Sequence, residues 1–300
     1  MYQFVFQSGG EFGVSCAVQT HYSFGENHYL FQQDVNSKGW VVLNLNTDGS
    51  PGPLLQSGTS ALAYDIAFTY EIESNLFLFG IDVGSLHFIS PSPWEIRAIH
   101  ADGKIGAITD HGIWNNTYEL QFPFHIDGQH YLYGASITGS DRWFIQPLLP
   151  GGKMGKDETD HGNQKTKYLI PLQIPIYLHN NPTQLFRYDD YDGVTRAQDF
   201  LPDGKLDPDQ YQSPTFGLRF QQIFFANLPD VQAMIGLGGQ PDYGCFIYPF
   251  TAEGGIGEPI GEGQVGPFDK ALYYTIQGRH FVYLFSKDAV EWAVWEIVSQ

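Results

Sequence analysis

The chain has 300 residues, with 15 Lys plus Arg against 33 Asp plus Glu, a formal charge of −18. That acidic excess argues against the basic patch that a nucleic-acid or anionic-membrane binder needs. Aromatic residues make up 16% and charged residues 16%, so the chain is not disordered and has the apolar surface for a large core.

At the start, Met1-Tyr2-Gln3-Phe4 lacks the basic and apolar stretches of a secretion signal, and no run of about 18 apolar residues follows. A cytoplasmic location without membrane insertion is expected. Cys16 and Cys245 are the two cysteines, with no CxxC pair. They fit a reducing compartment, and each reads as a buried, inert thiol.

In chain order, Tyr29-Leu30-Phe31, Phe77-Leu78-Phe79-Gly80 and Tyr131-Leu132-Tyr133-Gly134 are alike. Trp40, Trp94 and Trp143 follow them. About eight residues past each Trp comes a turn: Asp48-Gly49, Asp102-Gly103 and Gly151-Gly152. Asp203-Gly204 and Glu253-Gly254 continue the series, with Thr195 and Cys245 at the Trp position. The turn glycines are 54, 49, 52 and 50 residues apart. A period of about 50 in 300 residues makes six units. A small tripeptide follows each turn: Gln56-Ser57-Gly58, Asp110-His111-Gly112, Asp160-His161-Gly162, Gln212-Ser213-Pro214 and Gly261-Glu262-Gly263. Gln7-Ser8-Gly9 lacks a Trp before it, and Trp292 lacks a turn after it. Joining the two ends repairs both.

Each unit reads as four short strands. In the third they are expected at Thr117–His125, His130–Ala135, Arg142–Leu149 and Lys153–Asp160. Phe122-Pro123-Phe124-His125 and Trp94-Glu95-Ile96-Arg97 alternate with the period of a strand. Ile126-Asp127-Gly128-Gln129 has hairpin-turn chemistry. Asp288–Val298 could be a helix by pattern, but repeat register makes it a strand.

In these features the chain resembles the six-bladed β-propeller repeat proteins, in architecture only. The resemblance covers the whole chain and implies a single all-β domain, residues 1–300, of four-stranded blades. The N-terminal strand would join the last blade and close the ring. The glycine pair of kelch repeats and the WD40 signature are absent.

Binding residues concentrate on loops carried by a rigid scaffold. The longer loops and blade crossings share one face of such a ring. One asymmetric site is therefore expected on that face at blades 2 and 3, near the channel mouth. Its candidate ligand contacts are Trp114, Asp110, His111, Asp160 and His161, with His87 and Asp141 from neighbouring loops. Trp114 could stack on a flat ligand face or plug the gap between blades. The Asp-His pairs could orient an imidazole for general-base work, and His111, His161 and Glu262 could meet at one ion. Alternatively, they only fasten the crossings.

A polar ring recurs late in the first strands: Ser23, Glu71, His125, His179, Asn227 and Thr275. Glu71, His125 and His179 could hold a cation, or the ring could line a wet channel. Asp189, Asp190 and Asp192 form an acidic loop that could bind a divalent cation. Asp199–Gln210 fits part of an EF-hand loop, but Leu201 and Gln210 stand where ligands are required. No GxSxG, P-loop, GxGxxG or HExxH motif is present.

The leading expectation is a lectin-like protein that binds a glycan or small polar molecule and needs no cofactor. The alternative is a lyase, hydrolase or isomerase using His111, His161 or His125 as base with Asp110 or Asp160. A protein partner stays open.

Overall fold

The computed structural model describes residues 1–12, 16, 18–34, 36–84, 91–136, 142–163, 175–176, 184–189, 194–207, 211–212, 220–238, 243–250, 256–286 and 290–300. Within these, the side chains of 175–176, 184–189, 194–197 and 211–212 are left undescribed. The chain opens with β1 (Tyr2–Glu11). Next, β2 (Val18–Phe24), β3 (Asn27–Gln33), β4 (Gly39–Leu45) and β5 (Pro51–Thr59) form one sheet in chain order. β6 (Ile66–Ile72), β7 (Asn75–Ile81), β8 (Ser92–Ile99) and β9 (Ile105–Trp114) form a second. The third holds β10 (Leu120–Ile126), β11 (Gln129–Ala135) and β12 (Arg142–Leu149), edged by β13 (Lys153–Met154) and β14 (Asp160–Asn163). The fourth holds β15 (Pro175–Ile176), β16 (Gln184–Asp189), β17 (Val194–Asp199) and β18 (Tyr211–Gln212).

The remaining strands are β19 (Phe220–Leu228), β20 (Val231–Gly238), β21 (Gly244–Pro249), β22 (Gly261–Gln264), β23 (Lys270–Ile276), β24 (Arg279–Ser286) and β25 (Glu291–Ser299). Together with β1 they make one eight-stranded sheet, ordered β19-β20-β21-β22-β1-β25-β24-β23. Its two halves meet at a single parallel bridge, Tyr2 to Gly261. As expected, β1 pairs antiparallel with β25, so the first strand completes the last sheet. The segment expected over 288–298 is a strand from Glu291, after a turn at Val290.

Local chemistry sets these registers. Glu73-Ser74, Asp127-Gly128 and Gln277-Gly278 carry positive φ at both positions, the type I′ geometry of a two-residue hairpin. A recurrent cross-strand pair explains the small tripeptides. Trp40 lies opposite Gly58, Trp94 opposite Gly112, Trp143 opposite Gly162 and Cys245 opposite Gly263. The indole covers the glycine, so a Cβ at Gly112 would sit 2.5 Å from Trp94 Cζ2.

Two sheets depart from the simple repeat, and the second departure corrects an expectation. In the last sheet Trp292 lies opposite Gly10, one residue past the tripeptide, with a bulge between Phe6 and Ser8. In the third sheet the outer strand is broken, not continuous over Lys153–Asp160. Pro147 in β12 has no N–H for its outer neighbour, and its carbonyl accepts from Gly155 N at 2.8 Å where the break begins.

The core lies between adjacent sheets. One cluster joins Tyr70, Phe79, Ile81, Trp94 and Ile96 of the second sheet to Leu132, Phe144 and Leu148 of the third. Each such large apolar side chain contributes about 2 kcal/mol by its burial. The first strands face the axis: β2 touches β6 and β23, β6 touches β10, and β19 touches β23. Turns dock onto the preceding unit, with Tyr22 Oη donating to Gly103 O at 2.6 Å and Tyr274 Oη to Gly49 O at 2.6 Å. The fold is propeller-like and all-β, with no helix among the described residues. None of these residues forms a helix long and apolar enough to cross a membrane.

Candidate functional site

The Asp-His motifs lie on outer strands, away from the axis. Asp110 Oδ2 accepts from Met154 N at 2.8 Å and Oδ1 from His111 N at 3.0 Å. Asp160 repeats this with Leu206 N at 3.1 Å and His161 N at 2.9 Å. Gln56 does the same work, accepting from Ile105 N at 2.8 Å and donating to Ile105 O at 3.1 Å. These three equivalent residues each clasp the backbone just past the turn of the next unit. His111 is exposed, and the His161 side chain is 65% exposed, 3.5 Å from Glu158. The two histidines belong to different outer strands, and the structure builds no shared ion site from them and Glu262. Among the described residues no group of three or more His, Cys, Asp or Glu is placed to hold a metal ion.

Asp110→Ala and Asp160→Ala are each expected to lower stability by about 1–2 kcal/mol, since a backbone N–H loses its acceptor. His111→Ala and His161→Ala should stay within about 0.5 kcal/mol of wild type. Urea unfolding of the four variants checks this. The opposite ranking would mean that the imidazoles, not the carboxylates, fasten the units.

The Trp114 indole is half-buried and packs against the cluster between the second and third sheets. The indole lies 5.7 Å from Trp94 and 6.0 Å from Phe79 in its own sheet. Across the gap it meets Phe144 at 5.0 Å and Tyr118 at 5.7 Å. His87, Asp141, Asp190, Asp192 and His179 lie outside the described residues, as does the side chain of Asp189. In the tested EF-hand segment, Asp203 caps its own turn through Lys205 N at 3.2 Å and pairs with Lys205 Nζ at 2.7 Å. Both cysteines are buried, and burial pushes their thiols up to about 12. They are therefore thiols, not thiolates, at neutral pH.

A buried carboxylate was not singled out from the sequence. Glu95, 3% exposed, is bonded by Tyr64 Oη, by Ser60 Oγ at 3.0 Å and by Arg97 Nε at 2.7 Å. With three donors it is satisfied, and it ties the crossing at Ser60 and Tyr64 to β8.

A cleft lies where the first hairpins of the second and third sheets meet. It measures about 450 Å³ and is lined by Tyr70, Glu71, Glu73, Pro123, Phe124, His125 and His130. The strand period places the wall: Tyr70 and Ile72 are buried while Glu71 between them is exposed. Phe124, His125 and Ile126 follow the same pattern on β10. Glu73 joins from the positive-φ turn, and His130 stands opposite His125 with ring centroids 5.6 Å apart. Phe124 is backed by Phe200 at 4.0 Å and Tyr131 at 5.3 Å, giving the wall a rigid aromatic base.

Burial lowers the pKa of His130, and His125 lowers it further, while Glu71 and Glu73 act against that. His130 is therefore neutral at pH 7, with one donor and one acceptor nitrogen. The arrangement sets two acceptor-only carboxylates and two imidazoles beside an apolar wall. It can hydrogen-bond a polar molecule. Of the residues expected at a site, Glu71 and His125 are brought together here. Glu73 and His130 were missed.

Neither a family model nor a curated protein sequence matches the chain. Solved structures do. One, provisionally named a 6-phosphogluconolactonase, from Bacteroides fragilis, is 13% identical with a TM-score of 0.52, covering 93% of this chain and 86% of its own. Another is an exo-beta-1,3-galactanase from Phanerochaete chrysosporium with galactose, 12% identical with a TM-score of 0.53, covering 95% of this chain and 67% of its own. The likeness is one of fold.

Proposed function

We propose that the chain is a six-bladed β-propeller that binds one small polyhydroxy molecule of the saccharide class in the cleft between β6 and β10. Support for the blade count is that the eight-stranded sheet, divided at its single parallel bridge, makes two four-stranded units beside the other four sheets. The function rests on one observation: Glu71, Glu73, His125 and His130 share a cleft with the apolar wall of Tyr70, Pro123 and Phe124. A sugar presents hydroxyl edges and apolar ring faces, and this lining offers partners for both. Two fold neighbours carry sugar-related names, and one holds galactose. That supports the ligand class without carrying it.

The test is a glycan array followed by calorimetric titration, with and without EDTA. Selective binding is expected. It should weaken about tenfold, roughly the loss of one good hydrogen bond, in His125→Ala and Glu71→Gln. His111→Ala on the outer strand should leave it unchanged. A purified, folded protein that binds no saccharide would overturn the reading.

The two carboxylates facing His130 also favour a second reading, in which the bound molecule is turned over by general acid–base transfer. A Glu71→Gln variant that retained binding but lost turnover would select it.

A further inference from the structure

Resting on the cleft as the binding site, we propose that its ligand carries a primary ammonium group, as an amino sugar does, and that the cleft prefers it to neutral and acidic counterparts. The lining holds two carboxylates and two imidazoles, with no Lys or Arg among the lining residues. Its hydrogen-bonding inventory is therefore short of donors. Each carboxylate presents acceptor oxygens, and the His130 imidazole, held below its ordinary pKa mainly by burial, accepts at one nitrogen. An ammonium group brings three donors and a full positive charge to that set. A sugar carboxylate brings only acceptors and a repelled charge.

The wider chain reinforces the choice. A formal charge of −18 concentrates cations near the surface, and a cleft focuses that field. A metal ion would answer the charge equally well. However, the carboxylates and imidazoles of the cleft do not form a group of three placed to hold one. An ammonium group needs no such convergence, because it can bond one carboxylate and one imidazole at ordinary separations. The apolar wall then leaves room for the carbon skeleton that carries the amine.

Glucosamine, glucose and glucuronate share one ring and differ in charge, so titration with all three isolates the term. The measurement is made at low salt, at a pH where the amine is protonated. Glucosamine should bind about tenfold more tightly than glucose, the scale of one charge-assisted bond, and glucuronate should bind least. Added salt should erode the preference. In the Glu71→Gln, Glu73→Gln double variant both sugars should bind more weakly, as with Glu71→Gln alone, and the preference for glucosamine over glucose should disappear. Both positions are exposed, and an unchanged urea midpoint would confirm an intact fold.

Glucose binding as tightly as glucosamine, or glucuronate binding best, would overturn the inference and leave the saccharide reading standing. A glucosamine preference that survives the double variant would also overturn it, because the ammonium would then be held elsewhere. If none of the three sugars binds and the glycan array is blank, both readings fall together.

Discussion

Gly103→Ala should unfold at markedly lower urea than wild type, losing about 3 kcal/mol or more from a strained backbone and an overfilled contact together. Gly103 has φ +82, and a Cβ there would be driven into the Tyr29 ring of the preceding unit. Two other glycines separate these costs. Gly128 has φ +77 but open space around it, so Gly128→Ala should cost only the backbone share, about 1 kcal/mol. Gly112 is not among the positive-φ glycines but faces the Trp94 indole, so Gly112→Ala should cost the packing share, about 1–3 kcal/mol. The expected order is Gly103, then Gly112, then Gly128. If Gly128→Ala cost as much as Gly103→Ala, the docking of the turn onto Tyr29 would contribute nothing to stability.

That docking also explains why the repeat could be read from the sequence. A turn glycine that must lie under the previous unit's aromatic ring recurs wherever the contact recurs, as Gly49 on Phe281, Gly152 on Phe77 and Gly204 on Tyr131 show. The tryptophan and its opposing glycine are a second pair of the same kind. The step from Trp40 to Gly58 is 18 residues, as it is from Trp94 to Gly112 and from Cys245 to Gly263. Counted through the joined ends, Gly10 lies 18 residues after Trp292 (300 + 10 − 292). The contact falls on Gly10, just past the tripeptide Gln7-Ser8-Gly9. The break in the third outer strand was legible only in principle, from the missing N–H of Pro147.

The site was harder to read because the same letter serves two purposes. Asp110 and Asp160 look like partners of their adjacent histidines until Met154 N and Leu206 N are placed beside them. Those donors come from the next unit, more than forty residues along the chain. Trp114 is similar, since its packing against Tyr118 and Phe144 appears only once the sheets are placed side by side. The cleft left a weaker trace. Ser23 opposes His28, His125 opposes His130 and Thr275 opposes His280, so a histidine recurs just after the first hairpin of three units. Reading down the first strands alone found Glu71 and His125 but missed the partner strand.

The acid limb of stability should be steep, and His21 should account for much of it. Its ring is enclosed between His28, whose Nδ1 lies 3.2 Å from His21 Nε2, and Tyr274, stacked at 4.9 Å. Burial, with a smaller contribution from His28, holds its pKa down to about 3 against 6.5 for the free group. Between those two values the unfolded chain takes up a proton that the folded chain refuses. Stability is therefore whole above pH 6.5 and falls as pH drops toward 3. The slope is about 1.4 kcal/mol per pH unit, or roughly 2 kcal/mol lost by pH 5. His28, His130 and His280 are shifted the same way, mainly by burial, and steepen the fall. His21→Phe should remove the His21 share. Phe225 and Tyr273 stand at the equivalent place, three residues before the end of the first strand's hairpin pairing, so an aromatic ring is suited to it. Urea unfolding of both proteins at pH 7 and pH 5 makes the comparison, above the range where most carboxylates titrate. A variant whose stability falls as steeply as wild type would show that His21 takes up its proton in the folded state.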